Sequence, residues 1–208
     1  MKNPWEEIRL DTYEAHMSLD SVRQLQALNA LMRDQLAAYP VRTAMILGVA
    51  GGNGLEHVRR EKYDAVYGVD LNGEYLHAAA ARFPELDGVL RLLELDLTRE
   101  AEKLPRAELV IADLLIEYIG YAAFRRVIRQ VCPRFVSCVI QINTDAEEWV
   151  SDSPWLHAFD GLDAIHHQME PAALSEKMAE MGYRPILRSA APLPNGKQLL
   201  RLDYGRSA

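Results

Sequence analysis

Residues Ala44-Met-Ile-Leu-Gly-Val-Ala-Gly-Gly-Asn-Gly-Leu-Glu-His-Val58 run from an apolar stretch straight into a glycine-dense turn. Small residues at 50, 51, 52 and 54 open backbone conformations closed to larger side chains and let the chain lie flat against a ligand. A second apolar run, Tyr67-Gly-Val-Asp-Leu71, then stops on an acid. Strand, tight turn, helix and second strand in this order make the βαβ layout of a nucleotide-binding half-sheet. Asp70 falls at the carboxyl end of the second strand, where a carboxylate can accept hydrogen bonds from both hydroxyls of a ribose.

The rest of the chain is patterned to extend that sheet. Strands are expected at 44–49, 65–70, 89–96, 108–113 and 135–142, nearly continuous apolar runs suited to a parallel sheet covered on both faces. Helices are expected at about 54–61, 73–83 and 121–131, with Asn72 capping the second. Such alternation implies right-handed crossovers and an open doubly wound sheet. Ahead of it, Val22, Leu25, Leu28, Met32 and Leu36 recur at helical spacing, with Ser18 or Asp20 as N-cap and Pro40 as the stop. After it, Pro171 to Met181 reads as a helix ended by Gly182. Two short strands follow, at 183–189 and 198–204, joined by the turn Pro194-Asn-Gly-Lys197.

The expected fold class is α/β: a three-layer doubly wound, mostly parallel seven-stranded sheet with an antiparallel C-terminal hairpin strand and an N-terminal helical extension. At 208 residues, without internal repeats or a Gly/Ser-rich linker, the chain suits a single domain, with 1–40 as the helical extension and 43–204 as the core. No apolar run reaches spanning length, and Met1-Lys-Asn-Pro-Trp-Glu-Glu does not open like a secretory signal. Cys132 and Cys138 fit a reducing compartment, so the expected location is cytoplasmic. A net charge of -7 argues against a nucleic-acid substrate held by its phosphates. The basic cluster Arg125, Arg126 and Arg129 reads as the solvated face of one helix.

Two ligands suit such a turn, a dinucleotide and S-adenosylmethionine (SAM). The dinucleotide fingerprint wants a third glycine where His57 stands, counting from Gly52 and Gly54. The segment resembles motif I of the class I (Rossmann-like) SAM-dependent methyltransferases, an acid-x-Gly-x-Gly-x-Gly pattern. Laid on it, Gly48 takes the place of the acid and Ala50, Gly52 and Gly54 that of the glycines. The terminal hairpin also matches the way that family closes its sheet, so the resemblance in element order spans 43 to 204.

The resemblance implies SAM as cofactor, cradled by Gly48, Val49, Ala50, Gly52, Asn53 and Gly54. It further implies ribose binding by Asp70, adenine contacts from Leu71, Asp96 and Leu97, and a place for Asp113 at motif IV, facing the methionine end and the acceptor. Asp113 is also the residue placed to stand in for the acid missing at Gly48.

Methyl transfer needs reactants held in line and water excluded, with a base only where the nucleophile carries a proton. Glu117 and Tyr118, expected in the loop after the fourth strand, and His166 are the candidate catalytic residues. Adjacent histidines such as His166 and His167 would point to opposite faces of a strand and chelate poorly, and no third ligand is spaced for zinc, so no metal is expected. Cys138, inside a strand, reads as a small core residue. Tyr13, His16 and Met17 are placed either to form a lid over the cofactor or to pack as an ordinary helix. The expected partner is a small-molecule acceptor, neutral or cationic, such as an amine. Neither nucleic acid nor membrane is expected, and the protein should be a monomer or homodimer. Alternatives are a non-catalytic SAM-binding protein, an NAD(P)-dependent oxidoreductase and, more distantly, an aminopropyltransferase.

Overall fold

The computed structural model describes residues 3–143 and 149–207. Seven strands form one sheet: β1 (Thr43–Leu47), β2 (Ala65–Asp70), β3 (Leu90–Glu94), β4 (Leu109–Asp113), β5 (Phe135–Asn143), β6 (Tyr183–Pro192) and β7 (Lys197–Arg206). Their order is β3-β2-β1-β4-β5-β7-β6, and only β7 runs against the others. The strand order turns back between β1 and β4, and at such a switch point an open α/β sheet leaves a crevice beyond its carboxyl edge.

Alternating side chains divide the core into two layers. Met45 and Leu47 of β1 point to one face, where they join Phe124 and Val127 of α4 (Ile116–Val131) and Leu174 of α5 (Pro171–Ala179). Ala44 and Ile46 point to the other, against Met32 and Leu36 of α2 (Gln24–Ala38) and Leu76 and Ala79 of α3 (Gly73–Arg82). Among the described residues no helix is long and apolar enough to cross a membrane.

Three local expectations are corrected. Instead of a helix at 54–61 there is a 3-10 turn, Leu55–His57. Gly54 there sits so close to α2 that an added Cβ would lie 2.6 Å from Met32 Cγ. Glu56 Oε1 accepts a bond from Asn29 Nδ2 of α2 at 2.6 Å, and His57 Nε2 pairs with Asn29 Oδ1 at 2.9 Å. These side chains tie the segment to α2 where it would otherwise wind into a helix.

Second, neither Ser18 nor Asp20 caps α2. Ser18 ends a separate helix, α1 (Leu10–Ser18), and α2 starts after Arg23 in the left-handed region, at φ 52°. Third, α4 begins at Ile116 and not at 121, with a break at Gly120, φ 69°. The final hairpin exceeds its expected length on both arms, and its register shifts between Pro185 and Leu187, beside a residue that has no N–H to give the ladder.

A buried polar chain crosses the α2 face of β4, β5 and β7. Arg201 and Asp203 pair within β7, and Asp203 also accepts bonds from Ser137 Oγ and, at 2.6 Å, from Tyr39 Oη. Gln35 of α2 extends it, donating from Nε2 to Ser137 Oγ at 3.0 Å and to Asp113 Oδ1 at 2.8 Å. Arg201 is 4% exposed and Asp203 is fully buried, so removing one partner strands a charge. Asp203→Ala should therefore cost about 3–5 kcal/mol in urea unfolding, and adding Arg201→Met to it should recover most of the loss.

Candidate functional site

A cavity opens at the carboxyl ends of β1, β2 and β4. Its floor is the start of the glycine turn, at Gly48 and Ala50; along that turn Gly48, Ala50, Gly52 and Gly54 alternate in the left-handed region with φ of 70°, 47°, 89° and 94°. Gly48 and Val49 both donate their N–H to Val69 O of β2, at 2.8 and 3.1 Å. Asp70 completes the turn: Oδ2 accepts Ala50 N–H at 2.9 Å and Oδ1 accepts Asn72 N–H at 3.0 Å. Asn72 caps α3 through bonds from Glu74 and Tyr75 N–H, and its own amide donates to Trp5 O at 3.0 Å. Asp70 and Asn72 together thus join the floor, α3 and the N-terminal segment above.

Gly48, Ala50, Asp70, Leu71, Asp96 and Leu97 all line the cavity. Asp96 Oδ1 accepts bonds from Thr98 N–H and Oγ1, at 2.8 and 2.6 Å, which closes a turn after β3. Val49, Gly52, Asn53 and Gly54 stand outside the cavity wall. Val49 is packed into the α2 layer, and Asn53 donates to Leu25 O at 2.9 Å.

The other end of the cavity carries two buried acids. Register pairs Leu47 with Ala112, which sets Asp113 beside Gly48. Among the described residues Asp113 Oδ2 has no hydrogen-bond partner, like Gln35 Oε1 nearby. Glu117 lies in the first turn of α4, not in a loop, and is 4% exposed. Its Oε1 accepts Gln141 N–H of β5 at 3.0 Å, while Oε2 has no partner among the described residues.

Aromatic rings close the top. Tyr13, His16 and Met17 of α1 stand in the wall beside Trp5, Tyr118, Trp149 and His166. Trp149 stacks on His166 with ring centroids 3.9 Å apart, and Tyr118 lies 4.9 Å from Trp5. His166 follows the 3-10 helix Leu156–Ala164, not a strand; burial lowers its pKa, which favours the neutral imidazole, while His167 is exposed. His16 Nδ1 is 2.8 Å from Ser153 Oγ. Among the described residues no group of His, Cys, Asp and Glu is arranged to hold a metal ion.

Trp5, Gln141, Trp149 and Phe159 belong to the wall but carry no motif. The only signal was tryptophan in stretches without helical or strand periodicity, at residues 5, 149 and 155.

Burial pushes Asp113 and Glu117 up to about 7, against opposing hydrogen bonds from Gln35 to the first and from Gln141 N–H to the second. A raised carboxyl binds its proton more tightly folded than unfolded, so stability falls as pH rises from about 4.5 through about 7. Glu117→Gln keeps an acceptor for Gln141 and removes the titration. Its unfolding free energy relative to the natural protein should be higher at pH 8 than at pH 5 by roughly 1–3 kcal/mol. Ala50 holds a left-handed conformation that costs an L-residue roughly 1–2 kcal/mol. Ala50→Gly should raise stability by about 0.5–1 kcal/mol in a thermal melt, the rest being offset by the freer unfolded chain.

No family model matches the chain, and no characterised protein matches it in sequence. Solved structures do match in fold. The [4+2]-cyclase SpnF is similar over 99% of this chain and 96% of its own, with a TM-score of 0.72 and 10% identity. Magnesium protoporphyrin IX methyltransferase from Synechocystis PCC 6803, with bound SAH, is similar over 95% and 94%, with a TM-score of 0.68 and 12% identity. Geranyl diphosphate C-methyltransferase from Streptomyces coelicolor A3(2) is similar over 89% and 78%, with a TM-score of 0.65 and 12% identity. The chain has the fold of the class I SAM-dependent methyltransferases.

Proposed function

We propose that this protein is a SAM-dependent methyltransferase acting on a small molecule. One observation carries the reading: a single cavity joins a ribose-type acid, Asp70, at one end to unpartnered buried carboxyl oxygens, on Asp113 and Glu117, at the other. The residues suit SAM. Asp70 and the small floor residues Gly48 and Ala50 would hold the ribose side, and Leu71 and Leu97 the adenine. Asp113, beside Gly48, supplies the carboxylate that motif I lacks here, for the ammonium of the methionine half.

Bound SAM supplies an activated methyl group whose transfer is favourable once a nucleophile is in line. The chain's share is to orient and to keep water out. Trp5, Tyr13 and Trp149 cover the cavity, and Tyr118 and His166 shape the acceptor side, with Glu117 able to hold or release a proton there. A dinucleotide enzyme gains no support, since β7 is reversed where that domain continues in parallel. A second reading, a SAM-binding protein with other chemistry, draws support from the neighbour described as a cyclase.

Calorimetric titration with SAM, SAH and NAD tests the reading. SAM and SAH should bind and NAD should not. Asp70→Asn should weaken SAH at least about tenfold, or about 1.4 kcal/mol, while His166→Ala should leave it nearly unchanged. Equal losses in both variants, or binding of NAD alone, would sink it.

A further inference from the structure

Glu117 presents an unusual combination: a nearly fully buried carboxyl, in a cavity wall, with Oε1 engaged by Gln141 N–H and Oε2 meeting no donor. Leaving such an oxygen unmet is costly, and an incoming donor would remove the cost. No described residue supplies one. Among the described residues no Lys or Arg lines the cavity, whereas Asp70, Asp96, Asp113 and Glu117 all do. A carboxylate or phosphate acceptor would enter against that charge.

Aromatic rings line the same cavity as Glu117. Tyr118 follows it in sequence and stands 4.9 Å from Trp5 and 6.1 Å from Trp149 between ring centroids. The faces of Trp and Tyr rings attract a desolvated cation. Asp113, the last residue of β4, lies beside Gly48 and is assigned to the methionine half of the cofactor, so Glu117, in the first turn of α4, remains for the acceptor.

We propose that the acceptor is a small primary or secondary amine, which enters as its ammonium and is held by Glu117 Oε2 against the Tyr118, Trp5 and Trp149 rings. This assignment rests on the methyltransferase reading and narrows it. One N–H proton then passes from the ammonium to Oε2, leaving a neutral carboxylic acid and a neutral amine with a free lone pair. Charge balances, because a cation and an anion become two neutral groups. Burial favours that direction, since it penalises the carboxylate and the ammonium alike.

Three isosteric probes separate the possibilities: phenethylamine, 2-phenylethanol and phenylacetate, each titrated calorimetrically into the full chain saturated with SAH. Phenethylamine should bind at least tenfold more tightly than either of the others. Glu117→Gln, which preserves the bond to Gln141, should lose at least tenfold for the amine and leave the alcohol unchanged. The inference is overturned if the alcohol or the acid binds best, if none binds to SAH-loaded protein, or if the amine binds the variant as well as it binds the natural chain. In each of these cases bound SAH leaves the cofactor reading standing. Failure of SAH itself to bind overturns the cofactor reading, and the amine assignment falls with it.

Discussion

The site depends on the two backbone amides that Asp70 receives. Its carboxylate links Ala50, on the floor turn, to Asn72, at the start of α3. Four alternating left-handed residues have little reason to hold one shape unaided, and one of them is an alanine. A charged acceptor bonded to two amides supplies the restraint, since charge-assisted bonds exceed neutral ones. Because Asn72 also holds the Trp5 carbonyl, the clamp reaches the aromatic cover as well as the floor. A carboxylate expected from sequence as a ligand for ribose is thus also a structural tie.

At the far end, polar order inside the core serves the same region. Gln35 connects the Arg201–Asp203 pair, through Ser137, to Asp113 in the cavity wall. Such a buried network offers little stability by itself, but it fixes geometry where each member is satisfied. It leaves unmet atoms only toward Asp113 and Gln35, and the third such atom belongs to Glu117. Unmet polarity among the described residues is therefore gathered beside one cavity.

Much of this was legible in the chain, for local reasons. Strand positions followed from apolar runs, and the reversed β7 from the Pro194-Asn-Gly-Lys197 turn, because both signals are short-range. Asn72 capped α3 as its type and place predict. Helix 54–61 failed because contacts with Asn29 and Met32 of α2, distant in sequence, override a modest local preference. Glu117 was expected in a loop because nothing in its neighbourhood of sequence announces burial against β5. Trp149 could not be placed in the wall, since an aperiodic segment gives no direction to its side chains.

The missing helix carries a further meaning. In nucleotide-binding half-sheets the helix after the first strand points its positive macrodipole end at the pyrophosphate, and its free N–H groups bind the oxygens. A single 3-10 turn, Leu55–His57, has almost no such dipole, and the amide of its N-cap residue Gly54 is already taken by Glu56. That turn offers an anion no helix dipole. A cofactor without phosphate loses nothing there, whereas a dinucleotide would give up a main source of its affinity.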